Sequence, residues 1–324
     1  PEFEPAHAAR SYILLLTGDF ENGWKGHKYR KAIQRRNTAY EQEYTGRVWS
    51  GEPLAGKTIL VHYEQGFGDN IQFIRYLPMV RERAGKVIFQ CLPHLYDLFR
   101  DISGCDELIR ADRKITSDYD CHVSLMDLPE IFKTGLGTIP ADIPYIHANK
   151  DKTDIFRDKI KGEGLKVGIV WAGSPRHTND HNRSCRFSQF RDLASIDGVR
   201  LFSLQKGPAS EQIRDPEAGI PVVDLAPELK DFSDTAAAVE CLDLVVTVDT
   251  ALLHLAGAMG KKTWALMSFI PDWRWLMGRE DSPWYPTVKL FRQGRPGDWK
   301  EVFERLKRSI SEYLDEHPYN QTGP

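Results

Sequence analysis

The chain has 324 residues, 41% hydrophobic and 27% charged, with a formal net charge of -3. That is long enough for two ordinary domains, and it leaves no global basic field to favour nucleic acid or a polybasic membrane contact. Five cysteines (Cys91, Cys105, Cys121, Cys185 and Cys241) are odd in number and never spaced as C-x-x-C, which argues against a disulfide framework or zinc site and fits a reducing cytoplasm.

No apolar run approaches the ~20 residues needed to span a bilayer, and no signal-peptide pattern opens the chain, so no transmembrane segment is expected. Pro1-Glu2-Phe3 resembles a cloning scar, and the helices that follow almost at once suggest a chain cut from a longer protein. Residues 6–36 carry a helical period (Ala8, Ala9, Tyr12, Leu15, Leu16) broken at Gly18-Asp19, which predicts a helical hairpin. It resembles the last unit of a tetratricopeptide array, with Gly18-Asp19-Phe20 at the turn and Gly23-Trp24 in the second helix; an ordinary capping hairpin is the plainer alternative.

After a polar linker at 41–56, residues 58–61 form a buried strand pattern and 69–83 a helix, followed by strands at 86–91, 107–110 and 119–123 and a helix at 94–100. Residues 140–161 combine prolines, a short strand pattern at 144–147 and a charged helix, as an interdomain connection would. The pattern then restarts, with strands at 165–171, 199–204, 222–225, 242–248 and 262–267 and a final amphipathic helix at 299–314. Two strand-helix series in tandem predict an α/β chain of two Rossmann-like, doubly wound domains facing a cleft, with ligands beyond the carboxyl ends of the strands. The expected domains are a hairpin at 1–40, an N-terminal domain at 41–150 and a C-terminal domain at 151–324, whose last helix returns toward the N-terminal domain.

Three loops at strand ends gather the chemistry. In Tyr63-Glu64-Gln65-Gly66-Phe67-Gly68-Asp69 the glycines allow close backbone approach at a helix start, but the spacing lacks the full G-x-G-x-x-G that a nicotinamide cofactor would suggest. Asp69 is either an N-cap, with Gln72 three positions on as in a capping box, or a general base. Asp249-Thr250-Ala251 opens a second helix on which Thr250 and His254 share a face; they either converge with backbone N–H groups on an anion or belong to an N-capped core helix.

The third loop runs from Trp171 through Ala172, Gly173, Ser174, Pro175, Arg176 and His177 to Arg183, and Gln205-Lys206 follows the next strand. Arg176, His177, Arg183 and Lys206 are candidates to neutralise a diphosphate, the alternative being a solvated loop. The four-residue spacing of His177 and His181 makes no metal site, because the turn chemistry between them argues against a helix. Trp273, Trp275 and Trp284 sit in aromatic-rich loops that either stack a ligand or pack in a core.

The order Gly66-Phe67-Gly68-Asp69-Asn70-Ile71-Gln72, Val170-Trp171-Ala172-Gly173, Ser203-Leu204-Gln205-Lys206-Gly207 and Val248-Asp249-Thr250-Ala251-x-x-His254 resembles the glycosyltransferase domain that bacteria attach to tetratricopeptide repeats, related to the heptosyltransferases. The resemblance covers nearly the whole chain and implies the GT-B fold and an inverting, metal-independent transfer of sugar from a nucleotide diphosphate donor to an acceptor hydroxyl on a protein or surface glycan. No cofactor is implied beyond the nucleotide sugar itself.

By that resemblance Asp69 falls at the proposed base, within an acceptor-side loop of Glu64, Gln65, Gly66, Gly68 and Gln72. Asp249, Thr250, Ala251, His254, Trp171, Gly173, Arg176, His177, Arg183, Gln205 and Lys206 fall on the donor side. Ala251 departs from the glycine usual after the threonine. Asp118-Tyr119-Asp120 matches the two-aspartate metal pattern of another transferase class, but it precedes a strand rather than following one. A non-catalytic nucleotide-sugar-binding module, with the hairpin as its partner surface, is the alternative function.

Overall fold

The computed structural model describes residues 3–32, 43–215 and 219–317. Its chain divides into two compact units, one of Pro1–Ile146 with Asp272–Gly278, the other of His147–Pro271 with Arg279–Pro324. Among the described residues, no helix is long and apolar enough to cross a membrane.

In the first unit five parallel strands, β1 (Arg47–Val48), β2 (Leu54–His62), β3 (Ala84–Cys91), β4 (Glu107–Arg110) and β5 (Cys121–Ser124), lie in the order β1-β5-β2-β3-β4. Ile59, Leu60 and Val61 are all buried, as in a strand covered on both faces. From β2 the chain winds outward to β3 and β4, then returns to β5 on the other side of β2. The carboxyl ends of β2 and β5 therefore flank the point where the winding direction reverses, which is where such sheets accept ligands.

Two helices, Glu4–Leu16 and Phe20–His27, precede this sheet. Gly18 takes a positive φ at the turn, and Asp19 caps the second helix by accepting from the Asn22 N–H at 3.2 Å. A side chain at Gly23 would stand 2.6 Å from Leu15 Cδ2, so the glycine lets the helices meet closely. The second helix continues as a 3-10 turn, Lys28–Ala32, and residues 33–36 of the predicted helix, like Pro1, Glu2 and residues 41–42 of the predicted linker, lie outside the described residues. Trp24 anchors the pair by donating its indole N–H to the Thr134 carbonyl at 2.7 Å.

The second unit holds β6 (Leu165–Val170), β7 (Val199–Ser203), β8 (Val222–Asp224), β9 (Leu244–Val248), β10 (Thr263–Met267) and β11 (Val288–Arg292), all parallel, in the order β11-β10-β9-β6-β7-β8. This is the 3-2-1-4-5-6 arrangement of a dinucleotide-binding sheet, with its switch point between β6 and β9. The helix Trp299–Glu316 buries Trp299, Val302, Phe303, Leu306 and Ile310 in this unit's own core, beside Phe187 and Phe190.

Several local expectations need correction. The helix predicted at 69–83 begins earlier, at Phe67–Phe73, passes through a 3-10 turn at Ile74–Tyr76 and resumes at Leu77–Arg81; Pro78 has no N–H to offer the Ile74 carbonyl. Residues 94–100 form a 3-10 turn at Pro93–Leu95 followed by further turns, and 144–147 form no strand. β11 and the two-residue β1 went unpredicted, and Asp180–Arg183 makes one helical turn inside the loop expected to be irregular.

Candidate active site

Beyond β2 the chain turns through Gln65, a non-glycine residue at φ 65°, before entering the helix Phe67–Phe73. Gly66, not Asp69, is the N-cap. Asp69 stands at the third helical position and reaches back, its Oδ2 accepting the Gly66 N–H at 2.9 Å. A glycine cap has no side chain to announce it, which is why the sequence pointed to the aspartate.

The other oxygen of Asp69 accepts from Arg274, a residue 205 positions away in the segment Asp272–Gly278 of the same unit. Burial lifts the Asp69 carboxyl above its ordinary range; Arg274 and the Gly66 N–H pull it back, while Asp272 and Glu64 push it further up. Gln72, predicted as a capping partner, is buried and offers its Oε1 to Arg274 Nε at 2.5 Å.

Close to this group lies a second charged cluster, whose pairing the sequence did not disclose. Arg30, delivered by the 3-10 turn after the helix pair, donates to both oxygens of Glu64 at 2.8 and 2.5 Å and pairs with Asp127 at 2.7 Å. Ser124, at the end of β5, donates to Glu64 at 2.5 Å. Burial opposes ionisation of Glu64, but Arg30 and Ser124 outweigh it and hold the carboxyl down to about 2. Glu64 thereby ties the loop after β2 to β5 across the switch point.

In the second unit, Gln205 organises the loop after β6: its Oε1 accepts the N–H groups of Trp171 (3.0 Å) and Ala172 (2.9 Å), and its Nε2 donates to the carbonyls of Ala172 and Lys206. The Trp171 side chain is fully buried against Phe187, ring centroids 4.8 Å apart, so it packs the core beneath the loop. Gly173 donates to Ser184 Oγ at 2.9 Å, and a side chain there would stand 2.4 Å from the Arg183 guanidinium.

Arg183 pairs with Asp180 at 3.3 Å and donates to the Asp249 carbonyl at 2.9 Å, so it joins the loops after β6 and β9 at the switch point. Thr250 is the N-cap of the helix Ala251–Ala258, but its hydroxyl meets Thr247 Oγ1 at 3.3 Å and makes no cap bond to the first turn. The helix N-terminus thus lies beside a guanidinium, an arrangement suited to an anion.

His254 is buried one turn on and bonds through Nδ1 to the Tyr285 hydroxyl at 2.9 Å. Arg176 and His177 are exposed, the latter accepting the Asn179 N–H, and Lys206 reaches the Ala226 carbonyl at 2.8 Å. The structure thus gathers Arg183, Asp249, Thr250 and Ala251, whereas Arg176 and His177 stand out in solvent. Asp120, from the two-aspartate pattern, accepts the Thr58 N–H at 2.7 Å beside β2. The tryptophans of the aromatic loops, Trp273, Trp275 and Trp284, are all buried.

Residues 185–272 match glycosyltransferase family 9 (heptosyltransferase). Among curated proteins the chain is similar to Protein FlbA of Caulobacter vibrioides, 26% identical over 94% of this chain and 54% of that protein. The chain therefore spans about half the length of that relative. Among solved structures it resembles a family 9 glycosyltransferase of Veillonella parvula (TM-score 0.59, 12% identity, 83% of this chain and 99% of that one). It also resembles the E. coli ADP-heptose lps heptosyltransferase II (TM-score 0.55, 11% identity, 80% and 99%) and E. coli heptosyltransferase WaaC with ADP-2-deoxy-2-fluoro heptose (TM-score 0.51, 13% identity, 80% and 99%). These likenesses show an α/β fold with parallel sheets of the GT-B kind, and the family match over residues 185–272 supports a glycosyltransferase.

Proposed function

We propose that the chain transfers a sugar from a nucleoside diphosphate donor to an acceptor hydroxyl, with inversion at the anomeric carbon and without a resident metal. The observation that carries this reading is a correspondence between the two sheets: at its switch point one presents a carboxylate of raised basicity, and the other a helix N-terminus flanked by Arg183. Asp69 takes the proton from the attacking hydroxyl. The first turn of Ala251–Ala258, Thr250 and Arg183 stabilise the diphosphate as negative charge develops on it.

The similarity to heptosyltransferases, one of them solved with an ADP-heptose analogue, makes ADP-sugars the first donors to test. The acceptor class is a polypeptide or a glycan, and the five free thiols fit a reducing, cytoplasmic compartment. Thermal shift against ADP, UDP, GDP and CMP, with and without EDTA, should give selective stabilisation by one nucleotide that EDTA leaves intact. Asp69→Asn should then bind that nucleotide normally while release of diphosphate from the donor sugar falls by about 10²–10⁴-fold. Full turnover by this variant would remove Asp69 as the base, and stabilisation that EDTA abolishes would overturn the metal-independent mechanism.

A further inference from the structure

Arg274 is held as a ligand is held, by shape and charge together. Its nitrogens address three acceptors: Nη2 meets Asp69, Nε meets Gln72 Oε1 at 2.5 Å, and Nη1 meets Asp272 Oδ1 at 2.9 Å. The guanidinium carbon lies 4.4 Å from the Trp273 ring centroid and 5.6 Å from that of Phe73. Trp273 is itself enclosed by Phe20, Trp24, His27 and Phe73. A fork fixed at three points and stacked on aromatic rings has little freedom to turn. With Gly66 holding the second oxygen of Asp69, both oxygens of that carboxylate are fixed.

We propose that Arg274 is a positioning residue, aiming the Asp69 carboxylate and keeping it ionised so that it can accept a proton from the acceptor hydroxyl. This rests on Asp69 being the base. The charged groups facing Asp69 are Arg274, Asp272 and Glu64. Of the neighbouring cations, Arg30 is already engaged by Glu64 and Asp127, Arg75 donates to the Gln72 carbonyl, and burial keeps His27 from supplying a charge. Without Arg274, burial and two neighbouring anions would act on Asp69 with only a backbone N–H to offset them, and the neutral acid cannot act as a base.

The test is the pH dependence of kcat/KM for Arg274→Gln and Arg274→Lys, with far-ultraviolet circular dichroism and nucleotide affinity as checks that each variant folds. Removing a cation disfavours the ionised carboxylate, so the acid limb of the Arg274→Gln profile should move upward by about 1–3 pH units. Activity lost at neutral pH should then return in alkali, and Arg274→Lys, which keeps the charge but loses the fork, should fall between this variant and the parent. A loss equal at every pH, or an unmoved limb, would overturn the inference. If Arg274→Gln fails to fold, an unmoved limb in Arg274→Lys with a rate lowered equally at every pH would assign the residue a structural role only. The two readings separate cleanly: an active Asp69→Asn variant sinks the base, whereas an inactive Asp69→Asn with an unmoved Arg274→Gln limb sinks only the role of Arg274.

Discussion

The switch points of the two sheets are built from opposite materials. In the first unit the loop beyond β2 is laced with full charges, and each is matched: Arg30 with Glu64 and Asp127, Arg274 with Asp69 and Asp272. In the second, the loops beyond β6 and β9 are shaped mostly by neutral groups, Gln205, Ser184 and Thr250, with one ion pair, Arg183 with Asp180, whose arginine joins them. The contrast fits two different tasks. A buried carboxylate needs nearby charges to set its protonation state, whereas an anion site needs backbone dipoles and a cation held beside them.

The largest break in this comparison comes from Arg30. Its side chain is only 4% exposed, and it neutralises two carboxylates. Arg30→Ala should destabilise the first unit by about 3–5 kcal/mol, because Glu64 is left charged, buried and without its cation. Urea unfolding with a probe in each unit would show the first transition moving and the second staying; a shift under about 1 kcal/mol would mean that Glu64 relaxes into water. The helix pair that supplies Arg30 would then be a removable appendage rather than part of the floor of the loop.

A smaller effect follows from Glu64 itself. Its folded carboxyl sits near 2, below the value it would have in an unfolded chain, so the ionised form favours folding at neutral pH. That contribution is fully present above the unfolded value of roughly 4.3 and is lost as pH falls toward 2. Asp69 has the opposite sign: its raised carboxyl makes ionisation costly to the fold, so acidification through its titration favours the folded state. Stability measured between pH 6 and pH 2 should fall in the parent and fall less in Glu64→Gln. Parallel curves would show that the pairing seen around Glu64 does not govern acid stability.

How much of this was legible beforehand depended on how far apart the interacting residues lie in the chain. Residues 107–110 were read as the strand that the half-buried β4 proves to be, and most of the buried strands were placed within a few residues, because a parallel strand covered on both faces is a continuous apolar run. The loops that follow those strands were legible for the same reason. Arg274 was not, since nothing local links it to Asp69, and its neighbours Trp273 and Trp275 read first as packing residues and only second as ligand-stacking ones. Arg30 was hidden within a helical stretch rich in basic residues, where a buried arginine looks like a solvated one. β11 was lost because its five residues sit among aromatic turns with no regular period.

The mildest prediction sharpens the second half of the comparison. Arg183 is the basic residue of its loop that reaches the β9 loop, through the Asp249 carbonyl, and Arg176 and His177 are exposed at the same rim. If the diphosphate sits at the N-terminus of Ala251–Ala258, Arg183→Ala should weaken nucleoside diphosphate binding about tenfold, equivalent to ~1.4 kcal/mol. Global stability should change less, since the side chain makes one ion pair over a single helical turn and one bond to a backbone carbonyl. Calorimetric titration at two salt concentrations distinguishes the causes: loss of a charge contact reduces the salt dependence of binding, whereas loosening of the loop lowers affinity and leaves that dependence unchanged. Unaltered affinity would move the anion contact to Arg176, His177 or Lys206, and Arg183 would then serve only to join the loops after β6 and β9.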